Sequence, residues 1–191
     1  MPTAANKIKY GLKNVYYAKA TIAADGSATY DTPVAFPGAV SLSLEPQGEN
    51  TNFYADNIVY WVGAANNGYE GDLEMARIID SFKVDILGYV EDTNSVLIEK
   101  IVGSAQHFAL MFQFEGDVEA TRHVMYNCTA TRATAGGSTK NENVEPETET
   151  VTITAASIYN ATLDADIVKA ECKKSSSSTQ YEAWTTTVYQ P

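Results

Sequence analysis

Apolar and polar positions alternate with a period of two along most of this chain, which marks it as a β protein. Residues 15–22, the Ala24-Asp25-Gly26-Ser27 segment and residues 28–30 predict a hairpin closed at Asp25-Gly26, where glycine supplies the positive φ. Pro33 and Pro37-Gly38 end it, and Val40, Leu42 and Leu44 then alternate with Ala39, Ser41 and Ser43 as a strand with one buried face. A polar loop is expected over residues 45–52. Residues 53–62, Phe-Tyr-Ala-Asp-Asn-Ile-Val-Tyr-Trp-Val, are rich in aromatics but lack clean alternation and predict a strand-forming extension. After a turn at Asn66-Asn67-Gly68, Tyr69, Gly71, Leu73 and Met75 face one way and Glu70, Asp72 and Glu74 the other.

One short helix is expected over residues 80–87. Asp80 stands where it could cap, Ile79 and Val84 have the spacing of a hydrophobic staple, the pairs Phe82 with Ile86 and Val84 with Leu87 form the apolar side, and Gly88 can close the end. At about two turns it needs a sheet to pack on. Farther on, Phe108, Leu110, Phe112 and Phe114 oppose Ala109, Met111, Gln113 and Glu115. In the following strand Val124, Tyr126, Cys128 and Ala130 are expected on one face. Residues 134–147 and the Ser-rich residues 173–180 read as flexible loops. Strands are expected at 150–155, at 165–172 and, closing the chain, at 184–189. Eight to ten strands with one helix predict a mainly β sandwich or barrel, and the length of 191 residues suits a single domain.

Composition narrows the function more than the fold. A net charge of −11, with its 13 Lys and Arg scattered along the chain, opposes tight binding to nucleic acid, which requires clustered cations. The N-terminal residues lack an apolar signal core, and no run of about eighteen apolar residues predicts a membrane span, so neither secretion nor membrane insertion is expected. Cys128 and Cys172 lack a CxxC spacing and read as two free thiols.

Candidate chemistry is sparse. His107 and His123 begin adjacent predicted strands and are candidates to lie near each other, but neither has a carboxylate or cysteine at metal-ligand spacing. Glu115, Asp117 and Glu119 surround a turn without the remaining positions of a calcium loop. Asn127-Cys-Thr129 and Asn160-Ala-Thr162 match the glycosylation pattern, but with no secretion expected they read as coincidence. No catalytic motif is present, and no catalytic, metal or cofactor-binding residue is assigned. The stripe of Glu70, Asp72 and Glu74 fits either a plain solvent face or a surface that repels polyanions.

The Lys9-Tyr-Gly-Leu-Lys-Asn-Val-Tyr-Tyr-Ala18 opening, Phe53-Tyr-Ala-Asp56, Gly68-Tyr-Glu-Gly-Asp-Leu-Glu74, residues 108–117, residues 121–132 and the closing Val188-Tyr-Gln-Pro191 resemble, end to end, the major tail proteins of long-tailed (siphovirus-type) phages of Gram-positive bacteria. The resemblance implies a β-sandwich or barrel-like tail tube fold with a flanking helix. Copies would form rings, usually hexameric, that stack around a tape-measure protein into a tube through which DNA passes without specific binding. It further implies assembly in the host bacterial cytoplasm, incorporation into the virion, and contacts with tail terminator and distal tail proteins. Residues 45–68 match the stretch that reaches neighbouring subunits in related tubes. That match makes Phe53, Tyr54, Tyr60, Trp61, Asn66 and Asn67 candidates for subunit contact, and the tube that the resemblance implies makes the acidic stripe of Glu70, Asp72 and Glu74 a candidate for the lumen wall. A non-catalytic Ig-like module that binds a protein or carbohydrate would share the β-rich, acidic, motif-free character, and self-association separates the two.

Overall fold

The computed structural model describes residues 8–63, 65–101, 106–139 and 146–191. Its centre is a nine-stranded antiparallel sheet. The main path runs β2 (Ala28–Tyr30), β1 (Leu12–Ile22), β10 (His107–Phe114), β11 (Arg122–Ala130), β12 (Glu149–Ala156), β7 (Tyr69–Met75) and β4 (Ala39–Pro46). β3 (Val34–Ala35) adds to β1, and β15 (Lys169–Cys172) shares the edge of β11 with β12. Three small hairpins stand outside the sheet: β5 (Thr51–Ala55) with β6 (Ile58–Gly63), β8 (Val90–Glu91) with β9 (Leu97–Ile98), and β13 (Ile158–Asn160) with β14 (Ala165–Ile167). The two helices are α1 (Asp80–Asp85) and α2 (Ser178–Ala183).

Both faces of the sheet carry a core. On one face Val15, Tyr17, Leu73, Met75, Phe108, Leu110, Val151 and Ile153 pack with Phe82 of α1 and with Phe36. The Phe82 ring stacks on Phe36 at 4.6 Å and meets Tyr17 and Phe108 edge-on at 5.1 and 5.5 Å. On the other face Ala18, Ala109, Met111, Val124 and Tyr126 are covered by Tyr181, Trp184 and Val188 from α2 and the C-terminal segment. β10 is therefore buried on both sides, which accounts for its near-continuous apolar run His107–Phe114. Among the described residues the C-terminal cover extends over β1, β10 and β11 and reaches Ala28 of β2 and Cys172 of β15. Beyond it, the same face of β12, β7 and β4 is bare and polar.

Bulges determine which residues reach which core. Between Lys13 and Tyr16, β1 uses three steps against two on β10, with Asn14 at φ 52°, so Leu12, Val15 and Tyr17 all reach the first core. β11 likewise takes three steps from Met125 to Cys128 against two on β10. This corrects the expected common face of Val124, Tyr126, Cys128 and Ala130. Val124 and Tyr126 enter the second core, whereas Cys128 and Ala130 pack against the first. A third bulge, between Ala39 and Ser41, turns Val40 out to solvent and leaves Leu42 and Leu44 half-buried against the first core.

Several local expectations are corrected as well. α1 starts where expected, but its cap position is Ile79, with no side-chain hydrogen bond, and Asp80 instead pairs with Lys83 at 3.3 Å. Val84 is exposed, so the staple does not form, while Phe82 and Ile86 are fully buried as the periodicity required. Residues 165–172 make two strands in different sheets. Residues 184–189, expected as a final strand, instead leave α2 through a turn over 184–186 and continue as irregular backbone, and α2 itself begins inside the expected 173–180 loop. Trp184 and Val188 are apolar because they seal the second core. Arg122 anchors this segment by donating to the Tyr181 carbonyl and lying 4.0 Å from its ring centroid, while Gln113 Nε2 donates to the Tyr181 hydroxyl at 3.2 Å. The 134–147 loop has no regular structure among its described residues, and 140–145 lie outside them.

Candidate assembly surfaces

Residues 53–62, expected as one strand-forming extension, form a two-stranded hairpin. Asp56 and Asn57, at φ 52° and 63°, make the two-residue turn that suits the twist of antiparallel strands. An extra residue in β6, between Val59 and Trp61, explains the missing alternation. Phe53 lies directly across from Trp61, and Tyr54 across from Val59. Both faces of the hairpin are apolar, and neither is covered. Phe53, Tyr54, Tyr60 and Trp61 are 58 to 70% exposed, and Ile58, Val59 and Val62, which the sequence reading did not single out, join them. The indole of Trp61 extends over Gly63, where an added Cβ would come within 2.3 Å of the ring. Glycine there lets the indole lie along its own strand.

Asn66 and Asn67 serve the root of the hairpin. Gly68 N donates to Asn66 Oδ1 at 3.1 Å, and Asn67 N to the Gln47 carbonyl at 2.9 Å, closing the loop back onto β4 and β7. Gly68 has φ +93°, and a Cβ there would strike the Ala155 carbonyl. In contact terms the two asparagines are thus separated from the aromatic hairpin: they fix where it leaves the sheet.

The acidic stripe lies where alternation predicts, on the bare face of β7. Pairing extends it across three strands. Glu74 sits between Ser41 and Thr150, Asp72 between Ser43 and Thr152, and Glu70 between Glu45 and Thr154. Register thus adds a fourth carboxylate, Glu45, directly beside Glu70. Sequence spacing had no means of showing this, because the two residues lie on different strands. Asp72 accepts a hydrogen bond from Thr152 Oγ1 at 2.8 Å, and Glu74 accepts from Thr148 Oγ1 and Ser41 Oγ at 2.7 Å each. Donation by Thr148 and then Ser41 lowers the Glu74 pKa from its ordinary value. Apart from the carboxylates, register places the hydroxyls of Ser41, Ser43, Thr150, Thr152 and Thr154 on this face, with Val40 and Ala156 exposed at its ends. It is a smooth, hydroxylated surface with net negative charge.

The two histidines do not meet. β10 and β11 are antiparallel, and His123 pairs with Phe112, five residues from His107, about 17 Å along the strand. His107 Nδ1 is 2.7 Å from Asn127 Oδ1, and His123 stacks on Phe112 at 5.0 Å with its Nδ1 3.5 Å from Glu171. Burial holds the His123 pKa below its ordinary value, with Glu171 opposing that shift. The Asp117 carboxylate accepts the backbone N–H groups of Glu119 and Thr121, and Glu115 and Glu119 pair with Lys13 and Lys173, so this cluster is a hydrogen-bonded turn. Among the described residues, no three His, Cys, Asp or Glu side chains gather as a metal site. Both thiols are free and buried, and desolvation pushes Cys128 up to about 12.

Comparison with known proteins complements this geometry. A family model described as phage tail tube protein matches residues 3–190. No curated protein sequence matches the chain. Among solved structures, the chain is similar to one in the cryo-EM structure of the anti-feeding prophage baseplate, six-fold symmetrised. Identity is 11% and the TM-score 0.42, over 91% of this chain and 98% of that one.

Proposed function

The chain belongs to the phage tail tube protein family, and on that premise we propose that it acts as a single tube domain whose copies close into rings, six to a ring, and stack into the tail tube of a siphovirus-type phage of Gram-positive bacteria. It is a structural component of the virion and not an enzyme. The observation supporting assembly is the hairpin of β5 and β6, which leaves seven large apolar side chains in solvent. Monomeric proteins seldom expose so continuous an apolar surface, and a neighbouring subunit would cover it. Rings close by rotation through one heterologous contact, and a second, open contact lets the tube grow. The tape-measure protein sets its length, and terminator and distal tail proteins meet its ends.

The β4, β7 and β12 face, with Glu45, Glu70, Asp72 and Glu74, is the reading's lumen wall. Repeated around a ring, it keeps the potential negative, and DNA passes without adhering. Electron microscopy of the purified protein tests the assembly, expected to show rings or tubes; a protein that stays monomeric at high concentration with other tail components present refutes it. Charge reversal of Glu70, Asp72 and Glu74 to Lys tests the lumen. Tubes should form and DNA ejection should slow, whereas unchanged ejection refutes that assignment.

A further inference from the structure

The exposed hairpin has a candidate seat on the same molecule. Between β4 and the β11–β15 edge lies an open groove of about 180 Å³, smaller than a typical small-molecule site but suited to one or two anchoring side chains. Leu42, Leu44, Tyr69 and Phe114, each only partly buried, give it an apolar floor. Its rim is cationic. Lys9 lies 4.9 Å from the Phe114 ring centroid and has no carboxylate partner among the described residues. Lys169 stands over Tyr69 at 5.3 Å and shares the single carboxylate of Glu171 with His123.

The hairpin is its complement. Residues 51–63 carry one formal charge, Asp56, at the turn, and their flanking positions are aromatic or aliphatic. An acidic tip between apolar arms fits a lysine rim around an apolar floor. In its own chain the hairpin does not occupy the groove, since its aromatic side chains are more than half exposed.

We propose that the groove bounded by Lys9, Leu44 and Lys169 receives the β5–β6 hairpin of a second copy of this chain, with Trp61 or Phe53 as the apolar anchor and Asp56 against the lysines. The proposal rests on the self-assembly reading and specifies the contact. Such a contact is heterologous: each copy offers a knob at one place and a socket at another, so it propagates from copy to copy.

The test mixes two single variants, Trp61→Cys in one protein and Leu44→Cys in the other, under oxidising conditions. The native thiols are both buried. A disulfide-linked dimer is expected only in the mixture. In parallel, Asp56→Lys should raise the concentration needed for assembly roughly tenfold, Lys9→Glu with Lys169→Glu should restore it when mixed with Asp56→Lys, and Trp61→Ala should weaken assembly by about thirtyfold or more. Wild-type assembly without the crosslink, or without any effect of these charge changes, overturns the seat and leaves the tube reading standing. A wild type that never self-associates overturns both. An intrachain bond in the Trp61→Cys, Leu44→Cys double variant, with no dimer in the mixture, shows that the hairpin closes on its own groove and also overturns the proposal.

Discussion

Neutralising Glu70 should stabilise the isolated subunit. Glu70 faces Glu45 across β4 and β7 and is followed two residues later, on the same face, by Asp72. Cross-strand neighbours stand about 5 Å apart and i,i+2 neighbours about 7 Å apart, so two unit charges at these separations in water repel by about 1.4 kcal/mol in total. Screening with a Debye length of about 8 Å reduces this to about 0.7 kcal/mol at physiological ionic strength. Glu70→Gln keeps size and polarity, and among the described residues Glu70 takes no side-chain hydrogen bond like those held by Asp72 and Glu74. The substitution should therefore raise the urea midpoint, by more at 10 mM salt than at 500 mM, and the combination with Glu45→Gln should give less than the sum of the two single effects, because they remove a shared repulsion. A lowered midpoint, or a gain independent of salt, would show that the carboxylate supports the fold rather than opposing it. The sign matters for the proposed lumen wall: a charge cluster that costs folding free energy has no role in holding the subunit together, and in the proposed tube it would serve the passage of a polyanion.

Other substitutions examine the frame. Gly71→Ala places a Cβ 1.8 Å from the Ser43 carbonyl oxygen, so β4 must separate from β7, and calorimetry should show a loss of at least about 2 kcal/mol. Phe82→Ala removes a fully buried ring packed on Tyr17, Phe36 and Phe108 and should cost about 3 to 5 kcal/mol in urea unfolding without changing the far-UV spectrum of the folded state. For His123, whose folded pKa is depressed below the ordinary 6.5, the stability it contributes is complete above that value and is lost as pH falls through the lowered one; His123→Gln should flatten this acid limb in thermal melts from pH 7 to 4.5.

How much of this was legible in the sequence depended on parity. β7 and β12 keep an unbroken period of two and have one face exposed, so their buried residues and the Glu70, Asp72 and Glu74 stripe could be read directly. β1, β11 and β6 each carry a bulge, and one extra residue exchanges the two faces beyond it. This is why Val124 and Cys128 part company and why residues 53–62 showed no pattern. Trp184 and Val188 misled for a different reason. Their spacing suits a strand, but the free surface they cover belongs to Met111, Val124 and Tyr126, distant in sequence, and an irregular segment can cover it as well as a strand. Glu45 was invisible as a member of the acidic face because only strand register places it beside Glu70.

The groove is assembled from Lys9, Leu44, Phe114 and Lys169, positions spread over nearly the whole chain, whereas the hairpin is a contiguous stretch of thirteen residues. If the hairpin seats in that groove as proposed, a ribosome would release the plug's sequence long before any receptacle exists to take it, and β1 would wait about ninety residues for β10. Nascent chains would be unable to polymerise on one another, because no unfinished copy could accept the next. A fragment broken off before β10 would retain the plug alone. It would be expected to act as a chain terminator, occupying one end of a growing assembly and offering nothing to the next subunit.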